Sequence, residues 1–324
     1  MNMRSERRWI SLCFAISLFI APSPAVAEAS FGGIVVFGTS LSDPGNAFVL
    51  TGLANTPPYD ALDPLLVPDR PYARGGHHFS NGATWIEQLA MPLGLAGSVR
   101  PAFQGASRHA TNYAVGGARA YDDRKNVNLS VQREAFLEDF NGSAPSDALY
   151  AIEFGANDVR DALAVFAAGG DGSSIIAGAL TSVGSSIQFL YAAGARNFLV
   201  WNVPDVGLAP ALRILDTQVP GVAELATLIT RSYNHGLDSV LAMLEGLPGI
   251  EIKRVDVYSL LNEIAAAPSA YGMISADRAC ITPNLAPYAC TRPGEFVFWD
   301  GLHPTTAAHG IIADLAASAL AQER

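Results

Sequence analysis

The 324-residue sequence contains only three cysteines, Cys13, Cys280 and Cys290. No His or Cys pair near them sits at ligand spacing, so a structural zinc centre is not expected. Charged residues make up just 15% of the chain, and the basic ones are in deficit, with 20 Lys and Arg against 30 Asp and Glu. A formal net charge of −10 leaves little basic surface to attract nucleic acid or an anionic membrane. There is no Gly-rich phosphate loop and no Gly-x-Ser-x-Gly elbow. Beyond the first twenty or so positions, no apolar run is expected to span a membrane. No internal repeat, heptad run or linker is evident.

Hydrophobic residues are plentiful, at 50%, which calls for a large packed core. The N-terminus has a basic head, Arg4, Arg7 and Arg8, then an apolar run from Trp9 to Ala21 and the small residues Ala25-Val26-Ala27. This order is that of a secretory signal peptide over residues 1–27, cleaved after Ala27. The product would be secreted or periplasmic, with 17 basic and 29 acidic residues remaining. In that oxidising setting the two surviving cysteines, Cys280 and Cys290, are expected to form a disulfide, worth about 2–3 kcal/mol through restriction of the unfolded chain.

Residues 28–324 read as one domain in which strands alternate with helices. Strands are expected at 33–38, 111–115, 147–154, 197–203 and 250–260, several of them ending on or beside glycine. Helices are expected at 83–89, 129–140, 174–193, 219–247 and 304–321, the last opening on Pro304. Residues 49–82, rich in Pro, Gly and Asn, read as extended surface chain. Alternation of this kind implies a parallel sheet covered on both faces.

Open parallel sheets bind ligands beyond the carboxyl ends of their strands. Ser40 follows the first strand, Gly117 the second and Asn157 the third, while Asp300 and His303 precede the last helix. A serine hydroxyl becomes a useful nucleophile when an imidazole accepts its proton. The imidazole in turn needs a carboxylate to fix its tautomer, and the tetrahedral intermediate needs donors for its oxyanion. Plainer readings exist for each residue: Ser40 or Asp300 as a helix cap, Asn157 as a turn residue, Gly116-Gly117 as turn geometry. His309, six residues after His303, is the alternative base.

Four blocks occur in order: FGTSLSDPGN (37–46), NYAVGGA (112–118), FGANDV (154–159) and WDGLHPT (299–305). With FSNGATWIEQLA (79–90) and NVPDVGLAPA (202–211), they resemble the GDSL, or SGNH, hydrolases, in the branch of secreted bacterial esterases and plant lipases. The resemblance implies an α/β fold, a flavodoxin-like three-layer α/β/α arrangement with a central parallel sheet. It implies hydrolysis of carboxylic esters, small-molecule or lipid, through an acyl-enzyme on Ser40, without metal or organic cofactor. His303 maps to the general base and Asp300 to the group orienting it. The oxyanion hole maps to the Ser40 and Gly117 N–H groups and the Asn157 amide, with Gly116 replacing Gly117 if the loop is shifted by one. One position departs from the pattern: Thr39 stands where the family usually has Asp. The same triad would also serve acyl transfer, and the Thr39 departure raises a third reading, an inactive scaffold that binds glycan or lipid.

Overall fold

A computed structural model describes residues 31–322 apart from 61, 63–64, 66, 106–107 and 282–289. The signal peptide expected over residues 1–27 and its cleavage site lie outside the described residues. Four short strands, β1 (Ile34–Gly38), β2 (Leu149–Glu153), β3 (Asn197–Trp201) and β4 (Glu251–Val255), form a parallel sheet in the order β1-β2-β3-β4. Every residue of β1 and β2 is buried, as expected of strands covered on both faces. β4 is the edge strand and is largely accessible. There Arg254 reaches Glu245 at 2.8 Å and Asp238 at 3.1 Å, placing charge along an edge open to unwanted pairing.

The stretch 111–115 is not a regular strand, contrary to the sequence reading. It runs beside the outer edge of β1 through a parallel bridge between Val36 and Asn112. Tyr113 N–H donates to Val36 O at 2.8 Å and Val115 N–H to Gly38 O at 3.2 Å. On its other side, away from β1, the segment is held by a side chain: the Asn46 amide donates to Asn112 O and Ala114 O, both at 2.8 Å. With this segment counted, the spatial order is that of flavodoxin-like sheets, in which the chain reverses direction beside the first strand.

Side-chain alternation gives the sheet two faces. On one, Phe37 and Tyr150 meet Phe136 of α3 (Leu129–Asp139) edge-on, at 5.7 and 5.9 Å between ring centroids. On the other, Trp201 lies 4.6 Å from Trp85 of α2 (Trp85–Ala90), and α2 packs on the C-terminal helix. The remaining helices are α1 (Asn46–Thr51), α4 (Ala156–Ala167), α5 (Ser173–Ala193), α6 (Pro210–Asp216), α7 (Val222–Leu244), α8 (Val257–Ala266) and α9 (Thr306–Ala321). A second parallel pair, β5 (Ser275–Ala279) with β6 (Phe296–Phe298), leads into α9. Cys280, just past β5, is joined to Cys290, with their Cα atoms 5.2 Å apart.

Two boundaries near the site differ from the sequence reading. The strand placed at 250–260 ends at Val255, because the Asp256 side chain accepts from Ser259 N–H and caps α8. The last helix begins at Thr306, with the Thr305 hydroxyl accepting from Ala308 N–H. Helix α5 is long and apolar enough to cross a membrane by length and composition. It instead buries Ile176, Val183, Ile187 and Leu190, packing against α3, α4 and α7, so a core helix is what passes that test.

Gly155 turns the end of β2 into α4 at φ +120°, and a Cβ there would sit 2.4 Å from Val203 Cγ2 and 2.6 Å from Tyr233 Cζ. Gly155→Ala combines left-handed strain with overpacking. It should lower unfolding free energy by about 3 kcal/mol or more, seen as a fall in the urea midpoint. An unchanged midpoint would mean that this turn relaxes freely.

Candidate active site

Ser40 sits in the turn that follows β1, and this turn rests on a carboxyl group from the neighbouring strand. Glu153, the last residue of β2, accepts from Thr39 N–H at 3.0 Å, from Thr39 Oγ1 at 3.0 and 3.1 Å, and from Ser42 Oγ at 3.0 Å. Ser42 Oγ in turn accepts from Trp85 Nε1 at 2.9 Å. The backbone makes room for the carboxyl at Gly38, where a Cβ would stand 3.0 Å from Glu153 Oε2. Thr39 is therefore a bonded donor. An Asp in its place would set a second carboxyl against the first in a dry site, where both cannot ionise freely.

The imidazole of His303 lies between the other two expected groups. Its Nε2 is 2.9 Å from Ser40 Oγ and its Nδ1 is 2.7 Å from Asp300 Oδ2. Asp300 is fully buried, and its oxygens are well occupied. Oδ1 accepts from Leu302 N–H and His303 N–H, both at 2.8 Å, and Oδ2 also accepts from Tyr72 Oη at 3.0 Å. The turn from 300 to 303 is pinned by Trp299 N–H donating to His303 O at 2.8 Å. Asp300 thus holds the histidine and does not cap α9, which Thr305 does. His309, the alternative base, is buried elsewhere: desolvation pushes its imidazole down to about 3 and its Nδ1 has no partner.

The three donors expected for an oxyanion are not used up by the fold. Among the described residues, neither Ser40 N–H nor Gly117 N–H is bonded to an acceptor. Gly116 N–H, the fallback, is committed to Asp43 Oδ2 at 2.8 Å. Gly117 takes φ +80°, a conformation that suits glycine. Asn157, in the first turn of α4, donates one Nδ2 hydrogen to Ala118 O at 2.8 Å, while its Oδ1 lies 3.4 Å from Arg160 Nη1. That leaves its second Nδ2 hydrogen for a ligand. Asp158 binds Ala120 N–H and Tyr121 N–H at 3.0 and 2.9 Å, holding the 117–121 loop against α4.

Asp43 fastens the two loops together. Besides Gly116, it accepts from Gly45, Asn46 and Ala47 N–H at 2.7, 2.5 and 3.1 Å, supplying acceptors to N–H groups that have no partner within the helix at the buried start of α1. Burial pushes its carboxyl up to about 6 against the pull of these four bonds. Sequence reasoning missed Glu153, Tyr72, Asp43 and Arg160. A usable signal existed for one: Glu153 is the single charge in the apolar strand LYAIE, and a buried charge implies partners.

Ser40, Asn157 and His303 open onto one apolar cavity of about 80 Å³, walled by Trp201, by α8 and by α9. A serine hydroxyl bonded to an imidazole that is itself bonded to a buried carboxyl, at the wall of an apolar cavity, is an arrangement able to form and collapse a tetrahedral adduct.

Residues 34–316 match the family model of the GDSL-like lipase/acylhydrolases. A GDSL esterase/lipase of Arabidopsis thaliana is 27% identical over 318 residues, covering 87% of this chain and 84% of its own. The thermolabile hemolysin of Vibrio parahaemolyticus is 26% identical over 298 residues, covering 87% of this chain and 62% of its own. Among solved structures, the extracellular lipase of Streptomyces rimosus aligns at 16% identity and a TM-score of 0.38, over 89% of this chain and 99% of that one.

Desolvation raises the Glu153 carboxyl to about 7, with the Thr39 and Ser42 bonds pulling it down. A group that holds its proton more tightly folded than unfolded stabilises the fold below its ordinary value. That contribution is lost as pH rises through about 7. Glu153→Gln removes this titration. Relative to wild type, the variant should gain up to about 3 kcal/mol of stability between about pH 4 and about pH 8. Urea unfolding at the two pH values measures the difference, and a flat or opposite trend would place that proton elsewhere.

Proposed function

Because the chain belongs to the GDSL-like lipase/acylhydrolase family and is a carboxylic ester hydrolase by class, we propose that it cleaves esters through an acyl-enzyme on Ser40. The observation that carries this reading is the continuous line of contacts from Asp300 through His303 to Ser40. With Nδ1 donating to Asp300, the imidazole presents an unprotonated Nε2 to the serine hydroxyl. His303 takes the proton as Ser40 Oγ attacks the ester carbon, and returns it to the departing alcohol. Asp300 stabilises the imidazolium formed in between, and Tyr72, bonded to the same carboxylate oxygen, holds it in place. The Ser40 and Gly117 N–H groups and the free Asn157 hydrogen receive the oxyanion. Water, activated by the same histidine, then resolves the acyl-enzyme.

The Thr39–Glu153 bonds favour an active enzyme over an inert scaffold, since the turn that carries the nucleophile is fully braced. The protein acts as a single hydrolase domain over residues 28–324, exported by the signal peptide over residues 1–27 to the periplasm or beyond. Its substrates are small-molecule or lipid esters.

Hydrolysis of p-nitrophenyl esters tests this reading. Ser40→Ala and His303→Ala should each cut kcat by roughly 10⁵–10⁶ with the urea midpoint nearly unchanged. Asp300→Asn should cost less, about 10⁴. Ser40→Ala that turns over like wild type would move the nucleophile elsewhere.

A further inference from the structure

The cavity at Ser40 limits what can be acylated. Its surface is mainly hydrocarbon, with Arg160 and Asp205 the charged side chains among the lining residues, so a neutral aliphatic group enters it with little polar surface to desolvate. Its volume of about 80 Å³ is small. An apolar protein cavity of about 150 Å³ is filled by benzene, so this one holds roughly three or four carbon-sized groups.

One wall is a single helix face. Val257, Leu260, Leu261 and Ile264 of α8 all line the cavity, at spacings of three, four and seven residues, the apolar stripe of an amphipathic helix. Val257 and Ile264 are 3% exposed, and Leu260 and Leu261 9%. The stripe is thus packed in place and does not stand open to solvent. Ile312 of α9, 6% exposed, also lines the cavity.

Resting on the assignment of Ser40 as nucleophile, we propose that this chamber receives the acyl part of the ester and selects short chains, acetyl to butyryl, with the α8 stripe setting the limit. Each methylene that enters the chamber contributes about a fourfold gain in kcat/KM, and a chain longer than the chamber must displace packed leucine or isoleucine.

The test is the acyl-length profile of the mature protein on p-nitrophenyl esters kept below their aggregation concentration. From acetyl to butyryl, kcat/KM should rise about 15-fold, then fall at least tenfold by octanoyl. Leu260→Ala should carry the maximum toward hexanoyl and relieve the penalty on octanoyl. Inhibition of wild type by alkylboronic acids of graded length gives a readout that needs no substitution, and propyl, whose boron stands for the butyryl carbonyl carbon, should bind tightest. A wild-type profile that climbs through octanoyl to palmitoyl would overturn the proposal, as would a folded Leu260→Ala protein with an unmoved maximum. The Ser40 assignment fails separately, through Ser40→Ala that retains turnover, whatever the shape of the profile.

Discussion

The carboxyl of Glu153, buried where β1 and β2 end side by side, is the constraint on which the site rests. It accepts three kinds of donor from the turn after β1: a backbone N–H, a threonine hydroxyl and a serine hydroxyl. A turn crossing the end of a parallel strand has no ladder to satisfy its backbone, and an unpaired buried N–H is costly. Glu153 removes that cost and fixes the direction in which Ser40 leaves the sheet. The absence of a side chain at Gly38 belongs to the same arrangement, since the carboxyl occupies the space a Cβ would need.

From that turn outward, the polar groups of the site form a closed account. Asp300 has four donors on its two oxygens, while Ser40 N–H, Gly117 N–H and one Asn157 hydrogen are left without an acceptor among the described residues. Fully partnered buried networks are rigid, whereas partly satisfied ones are not. Here the unsatisfied donors are the ones proposed to receive the oxyanion. His309 shows the other outcome: a buried imidazole without a partner at Nδ1, kept neutral by desolvation.

Much of this was legible in the sequence, because the groups that do chemistry follow strand ends or helix starts, and such ends carry local signals. Ser40 after GIVVFG, Asn157 after a glycine and Asp300-Gly-Leu-His303 before a helix were all found that way, and the structure brings them together. What escaped was set by distant partners. Tyr72 lies in a Pro- and Gly-rich stretch, and the partner that draws it into the site, Asp300, is 228 residues away. Glu153 looked like the end of a strand because its donors sit 111 and 114 residues upstream. α8 was misread for a local reason: Ile250, Ile252, Val255 and Val257 alternate as a strand would. The Asp256 cap, which breaks the alternation and turns one apolar face into the cavity wall, is a single hydrogen bond to Ser259.

Asp43 adds a consequence for how the site's energetics can be apportioned. One carboxylate holds both the segment that follows the serine and the glycine next to the oxyanion donor, so the two loops share a hinge pin. Disturbing either one shifts the other through that shared carboxyl group, whose Oδ1 holds Gly45 and whose Oδ2 holds Gly116. Free-energy costs assigned separately to attack and to oxyanion binding will therefore overlap, and their sum will exceed the loss seen when both are removed at once.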